Sequence, residues 1–312
     1  MYDLSGKRIW VAGHRGMVGA ALTRRLAAED CEVITAGRER ADLTRQAEVE
    51  AVLADTRPDA IIIAAARVGG ILANQNAPAD FLYDNLMIGA NMLRAAHASD
   101  VERLVFVGSS AVYPKLAEQP IVEDALLTGP LEPTHEAYSI AKIAGAKLAS
   151  AYRRQYGRDY IAAMPTNLYG PGDNFDLETS HVVPALIRKV HDAKTAGAAQ
   201  VEIWGTGKPR REFLHCDDCA DALVFLLKHY SEESHINVGS GEDVSILGLV
   251  ETIKTVVGYQ GEITHDLSKP DGPPRKLMSA ETLRALGWAP RIDLESGLAS
   301  TYDWFLKNVA AS

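Results

Sequence analysis

Apolar residues in the first half of the chain fall into short runs, and stretches of helical spacing separate them. KRIWVAG (7–13), CEVITAG (31–37), DAIIIAAA (59–66), RLVFVGS (103–109) and DYIAAMP (159–165) read as buried strands. Between them, 19–28, 47–55, 81–99 and 137–156 repeat apolar positions every three to four residues, as helices do. Short buried strands alternating with helices predict a parallel sheet with right-handed crossovers. The expected fold class is α/β, a doubly wound parallel sheet of Rossmann type.

After Pro165 the rhythm breaks. NLYGPGDNF is rich in turn residues, and the remainder mixes short strands (VEIW, INVG, EITH) with shorter helices. Ser245 and Ser279 read as helix N-caps. FLHCDDCADALVFLL again reads strand-then-helix and is expected to return to the first domain. The division predicted is a first domain over 1–170, joined by a return segment at about 212–240. A smaller mixed α/β domain covers mainly 171–312.

Composition narrows the function classes. The chain has 312 residues and a formal net charge of −9, which argues against a nucleic-acid binder or a ligand of acidic membranes. An anionic ligand would need locally placed Arg, Lys and backbone N–H groups. Three cysteines, Cys31, Cys216 and Cys219, give no disulfide framework. Cys216 and Cys219 form a CxxC, but no second Cys or His pair accompanies them, and Asp217 reads as an N-cap there; no metal site is expected. The N-terminus lacks a signal-peptide apolar core, and AIIIAAA is too short to span a bilayer. A cytoplasmic protein is expected.

Candidate chemistry starts at Gly13-x-x-Gly16-x-x-Gly19, placed between the first strand and the first helix. Glycines there let the backbone approach a pyrophosphate, with the helix N-terminus donating N–H bonds. The second strand ends in TAGRER rather than in the lone acidic residue that would hold an NAD ribose. Arg38, with Arg15 and Arg40 nearby, suits a 2′-phosphate, so NADP(H) is the expected cofactor. Tyr138 and Lys142 lie four apart on one helix face, so a phenol and an ammonium project together. The ammonium is expected to favour the phenolate of a side chain whose free pKa is about 10. Ser109, at the end of the fourth strand, would hydrogen-bond a substrate carbonyl while Tyr138 protonates the forming alkoxide.

Together these motifs resemble the extended short-chain dehydrogenase/reductases. The stretches AAARVGGI, NQNAPADF, LEPTHEAYSIAKIAGAKL, PTNLYGPGDNF, SHVVPAL, REFLHCDD and SKPDGPPRKL carry the resemblance further, to the GDP-L-fucose synthase family. That resemblance implies an NADPH-dependent enzyme that epimerises C3 and C5 of a GDP-linked 4-keto-6-deoxymannose and then reduces C4. It implies that Ser109, Tyr138, Lys142 and His181 are catalytic, His181 returning protons during epimerisation. Cofactor contacts would come from Gly13, His14, Arg15, Gly16, Met17, Val18, Gly19, Arg38, Asp42, Leu43, Ala65, Lys142, Pro165, Asn167, Leu168 and His181. Substrate contacts would come from Asn167, Val182, Lys189, Trp204, Arg211, Asp271 and Lys276. Lys189 stands where the family usually has Arg, which keeps the charge but loses bidentate geometry. Ala111 stands where the family has the cysteine that deprotonates C3 and C5, so epimerisation is expected to be slow or absent. A reductase that omits epimerisation, and a nucleotide-sensing scaffold without catalysis, remain as alternatives. Apolar residues on more than one face of 81–99 and 137–156 point to a homodimer, since the superfamily pairs these helices.

Overall fold

The computed structural model describes residues 1–269 and 271–311. Along the first half, β1 (Lys7–Ala12), α1 (Met17–Leu26), β2 (Cys31–Ile34), α2 (Gln46–Thr56), β3 (Ala60–Ile63), α3 (Ile71–Asn76), α4 (Pro78–Ala98), β4 (Arg103–Val107), α5 (Glu136–Tyr156) and β5 (Asp159–Pro165) follow in order. Then come β6 (Asn167–Tyr169), α6 (Val182–Thr195), β7 (Gln200–Trp204), β8 (Arg210–His215), α7 (Cys216–His229), β9 (Ile236–Val238), β10 (Asp243–Ser245), α8 (Ile246–Val257), β11 (Glu262–Asp266), β12 (Arg275–Lys276), α9 (Glu281–Ala285) and α10 (Leu294–Asn308).

The main sheet runs β2-β1-β3-β4-β5-β9, and every pairing is parallel. Its strands are apolar without alternation because both faces are covered. The period of two instead divides each strand between two cores. Trp10, Ile61, Ile63, Leu104, Phe106, Tyr160 and Met164 enter the core under α2, α4 and α5. Ile9, Val11, Ala60, Ile62, Val105, Val107 and Ile161 enter the core under α1 and α7. The doubly wound parallel sheet expected from the sequence is therefore present.

Helices α4 and α5 lie side by side over β4. A Cβ at Gly145 would stand 2.2 Å from Phe106 Cζ, so only glycine lets α5 sit this low on the sheet.

A third core gathers Phe175, Val183, Ile187, Val201, Ile203, Leu249, Ile253, Leu298 and Phe305, mainly between α6, α8 and α10. Around it, β8 pairs with β6, β10 and β12, and β7 pairs with β11. The chain divides here differently from the simple return segment. FLH lies in β8 and pairs with Asn167–Tyr169, outside the main sheet. The helix after it does go back, packing its apolar face into the core beside α1, and β9 becomes the sixth strand of the main sheet.

Two capping expectations are corrected. The N-cap of α7 is His215, not Asp217: its Nδ1 accepts from the Asp217 N–H at 3.2 Å, and Asp217 sits in the first turn. Ser279 is not the N-cap of α9, which is Ala280; its hydroxyl accepts from the Glu281 N–H at 3.4 Å from one residue further back. Ser245 caps α8 as expected, accepting from Gly248 at 3.0 Å. Cys216 and Cys219 are buried thiols whose pKa values burial pushes up, Cys216 to about 12. His215, Cys216 and Asp217 bring donor atoms within 4.8 Å of one another, yet both nitrogens of His215 are engaged, with Asp217 N–H and with Ser300 Oγ at 3.2 Å.

Glu212 on β8 joins the parts of the smaller lobe. Its buried carboxyl accepts from Gly241 N–H at 2.7 Å and Met278 N–H at 3.0 Å. Removing it strands both donors at about 1–3 kcal/mol each. Glu212→Ala is expected to lower the denaturant midpoint by an amount equivalent to about 2–6 kcal/mol, and a loss below about 1 kcal/mol in equilibrium urea unfolding would refute this role.

Candidate active site

The first strand delivers Gly13 to the edge of a tight turn. Gly13 has φ +89°, and a Cβ there would stand 2.7 Å from the backbone of Ala65. A Cβ at Gly19 would stand 2.0 Å from the Gly13 carbonyl oxygen. The turn closes through Gly16 N–H on the Gly13 carbonyl at 3.0 Å. Gly16 is the N-cap of α1 and brings no side chain, so no cap bond consumes the N–H groups of its first turn. His14 Nδ1, on the residue after Gly13, is buried without a protein partner. Met17 and Val18 start α1 and pack on the sheet. This donor set fits a dinucleotide pyrophosphate.

At the end of β2, Arg15 makes two bonds to Glu39, at 2.8 and 2.6 Å, both side chains being exposed. Arg40 is drawn away to Asp55 on α2, which removes it from the candidate phosphate contacts. Arg38 is exposed and has no ion-pair partner among the described residues. Asp42 is bonded by Thr44 N–H at 3.0 Å and Thr44 Oγ1 at 2.8 Å, which hold its carboxyl below the usual range. Leu43 offers its carbonyl to Asn91 Nδ2 at 3.0 Å.

The reacting centre is built where β4 stops. Ser109 follows the strand in extended backbone, and its Oγ accepts from the Ala111 N–H at 3.1 Å, capping the short 3₁₀ turn Ser110–Val112. Lys142 on α5 is buried and donates to the Val107 carbonyl at 2.7 Å, with its Nζ 5.0 Å from the Phe106 ring centre and 5.9 Å from that of Tyr138. Burial pulls its pKa down to about 8. The Tyr138 phenol moves the other way from expectation. Burial pushes it up to about 12, against a smaller opposing pull from its hydrogen bond with Ser109. Desolvation sets the direction, and the Lys142 ammonium, itself buried and turned to Val107, does not reverse it. Tyr138 is a phenol at neutral pH, the form that can give a proton.

Pro165 is the buried last residue of β5, and beyond it Leu168 packs beside the core under α1. Asn167 Nδ2 donates to the Glu212 carbonyl at 2.8 Å. His181 is the N-cap residue of α6 without a side-chain cap bond, and burial of its imidazole lowers its pKa. Val182 next to it is exposed at the start of the helix.

A cationic group lies on the smaller lobe. Arg211 donates to the Pro273 carbonyl at 2.7 Å, and Lys276 has its pKa pulled down to about 8 by burial and then by Arg211. Trp204 is 55% exposed, with the Nζ atoms of Lys189 and Lys269 at 5.3 and 5.4 Å from its ring. Lys189 is therefore placed over an aromatic face. Asp271 is used inside the protein, accepting from Thr206 N–H at 2.9 Å and Thr206 Oγ1 at 2.6 Å. Pro270 of the KPDGPPRK loop lies outside the described residues.

Sequence reasoning missed His135. It ends the 3₁₀ turn Pro133–His135 and feels the charges of Lys276, Glu132 and His181. The available signal was its place three residues before Tyr138.

The description of the NAD dependent epimerase/dehydratase family matches residues 9–239. The chain belongs to that family. It is 61% identical to the GDP-L-fucose synthase of Sinorhizobium fredii over 99% of both chains. It is 51% identical to the GDP-L-fucose synthase of Escherichia coli, covering 98% of each. Among solved structures, the GDP-L-fucose synthetase from Naegleria fowleri bound to NADP superposes with a TM-score of 0.92 at 30% identity, covering 100% of this chain and 96% of that one. No helix among the described residues is long and apolar enough to cross a membrane.

Lys142 carries a stability cost. A folded-state pKa near 8, below 10.5, means that the fold disfavours the ammonium by about 3 kcal/mol at neutral pH. That cost falls as pH rises through 8 toward 10.5, because the unfolded chain then binds the extra proton. Lys142→Met removes it and forfeits a bond worth about 1–3 kcal/mol. The variant is expected to unfold in urea at pH 7 no earlier than the parent; a loss above about 1 kcal/mol would contradict the balance.

Proposed function

We propose that the protein converts GDP-4-keto-6-deoxy-D-mannose to GDP-L-fucose, epimerising C3 and C5 and then reducing C4 with NADPH. The observation that carries the reading is the set of buried Lys142 with Tyr138 and Ser109 at the strand end, together with near-full-length identity to GDP-L-fucose synthases. NADPH supplies the hydride for C4 when bound. Gly13, Gly16 and Gly19 would hold its pyrophosphate on the α1 N-terminus, and Arg38 and Arg15 would meet the 2′-phosphate. Arg15 would exchange Glu39 for that phosphate.

Ser109 and Tyr138 hold the C4 oxygen, and Tyr138 gives it a proton as the alkoxide forms. Lys142 sets the field at the phenol. Arg211 and Lys276 neutralise the diphosphate, which lets a chain of net charge −9 accept an anion. The exposed Trp204 ring supports the guanine. His181 returns a proton during epimerisation, whereas the Ala111 methyl group has none to take or give.

The protein acts as a homodimer in the cytoplasm in this reading. Support for the dimer comes from Tyr83 and Leu86 on α4 and Ile140 and Tyr156 on α5, large apolar groups left exposed on adjoining helices. Light scattering at micromolar concentration is expected to give twice 33.7 kDa.

Tyr138→Phe is expected to lose about 10²–10⁴-fold in kcat for C4 reduction while keeping NADPH binding. A near-normal kcat would overturn the acid. Reduction should also decline as pH rises through about 8, since Lys142 is cationic below and neutral above that value. Lys142→Arg is expected to move this alkaline limb upward, because Arg stays charged. Arg38→Asp should erode the preference for NADPH over NADH, read from the two Kd values; an unchanged ratio would remove Arg38 from discrimination.

A further inference from the structure

We propose that His135 is the base that takes a ring proton from beside the ketone, working against His181. The inference rests on the reading that this site inverts the carbons flanking C4. Inversion removes a proton from one face of a carbon and returns one to the other, so it needs two groups. His181 is one of them. Ser109 and Tyr138 serve the ketone oxygen, Lys142 is directed at Val107, and Arg211 and Lys276 are cations. Glu132 is paired to Lys115 at 3.1 Å. Of these described groups, His135 keeps a ring nitrogen able to accept, and it lies near enough to His181 and Lys276 to feel their charges.

The local structure places it. His135 is the N-cap residue of α5, three residues before Tyr138. The buried Ser139 hydroxyl is 2.9 Å from the Ala111 carbonyl and 3.0 Å from that of His135. This pins the His135 turn against the loop that carries Ser109.

A chain of side chains then sets the tautomer. Glu132, held ionised by Lys115, can only accept. Thr134 Oγ1 stands 3.5 Å from Glu132 Oε1 and gives its proton there. The same oxygen is 3.2 Å from His135 Nδ1 and accepts the N–H from it. Nε2 is left with its lone pair.

Burial, and after it Lys276, pulls the imidazole pKa down to about 4, so the ring is neutral. A diphosphate seated on Lys276 and Arg211 cancels part of that positive field. His135 becomes a stronger base when the substrate arrives.

In the step itself, Nε2 takes the proton from C3 or C5. The C–H electron pair forms the C–C double bond of an enolate, and the C4=O π pair moves onto the oxygen held by Ser109 and Tyr138. His181 returns a proton to the opposite face, and the carbonyl re-forms. Nothing is oxidised or reduced, and both histidines restore their protons with water.

The test uses the NADP⁺-loaded protein and GDP-4-keto-6-deoxymannose in D₂O, with deuterium at C3 and C5 read by NMR. His135→Asn is expected to slow uptake by about 10²–10⁴-fold. Reduction of an already epimerised ketone should fall far less, changing the ratio of the two rates by at least about 10-fold. Thr134→Val keeps the imidazole but loses the tautomer, and should slow uptake by a smaller factor. NADPH affinity reports that each variant is folded. Uptake at the parent rate in His135→Asn overturns the inference and leaves the proposed function standing. A parent protein that reduces the ketone without uptake overturns it too, while the reductase reading survives. A parent that neither exchanges nor reduces overturns the proposed function itself.

Discussion

The bond from Lys142 Nζ to the Val107 carbonyl is the constraint around which the site is assembled. Val107 is the last residue of β4, where the sheet stops supplying ladder partners. The ammonium takes up a carbonyl at that margin and ties α5 to the strand at one register. Ser109 lies two residues on, and Tyr138 lies one helical turn back from Lys142. Their separation therefore follows from a single helix-to-strand contact. Gly145 makes that contact reachable by letting α5 settle onto Phe106, whose ring also lies beneath the ammonium. A desolvated cation is expensive to keep, and the apolar packing of α4 and α5 offsets it.

Electrostatics on the other side of the cleft follow a different logic. The chain is acidic overall, yet Lys189, Lys269, Arg211 and Lys276 gather near Trp204 and β12. Part of their mutual repulsion is met inside the protein: Asp271 lies close enough to Arg211 to oppose its loss of charge. The remainder amounts to a local positive field in a negative molecule. Such a field draws in an anion while the rest of the surface repels competing polyanions.

The sheet was legible because both-face burial leaves uninterrupted apolar strands, and that signal is local. The glycine triplet and the Tyr138–Lys142 spacing were legible for the same reason. The smaller lobe was not. INV and FLH are equally short and equally apolar, and only pairing over long sequence distances sends one to the main sheet and the other to β6. His215 replaced Asp217 as a cap because the cap is chosen by where the backbone turns, one residue outside the helix. The direction of the Tyr138 shift departs from the expectation because desolvation sums over neighbours distant in sequence, whereas the spacing shows only that Lys142 lies on the same face. Arg40 seemed available for a phosphate until α2 brought Asp55 beside it.

The path of the chain between the lobes limits how they can move. It leaves the main sheet after β5 and returns through α7 and β9. It leaves again at β10, comes back with Met278, Leu283 and Trp288, and ends in α10 on the smaller core. A hinge needs few connecting strands, because each one must absorb the same rotation in its own φ and ψ. Here several crossings would have to twist together, with the Glu212 bonds lying among them. The low-energy displacement of such a body is a small sliding of packed layers. Relative motion of the lobes is thereby confined to small shifts shared among all the crossings.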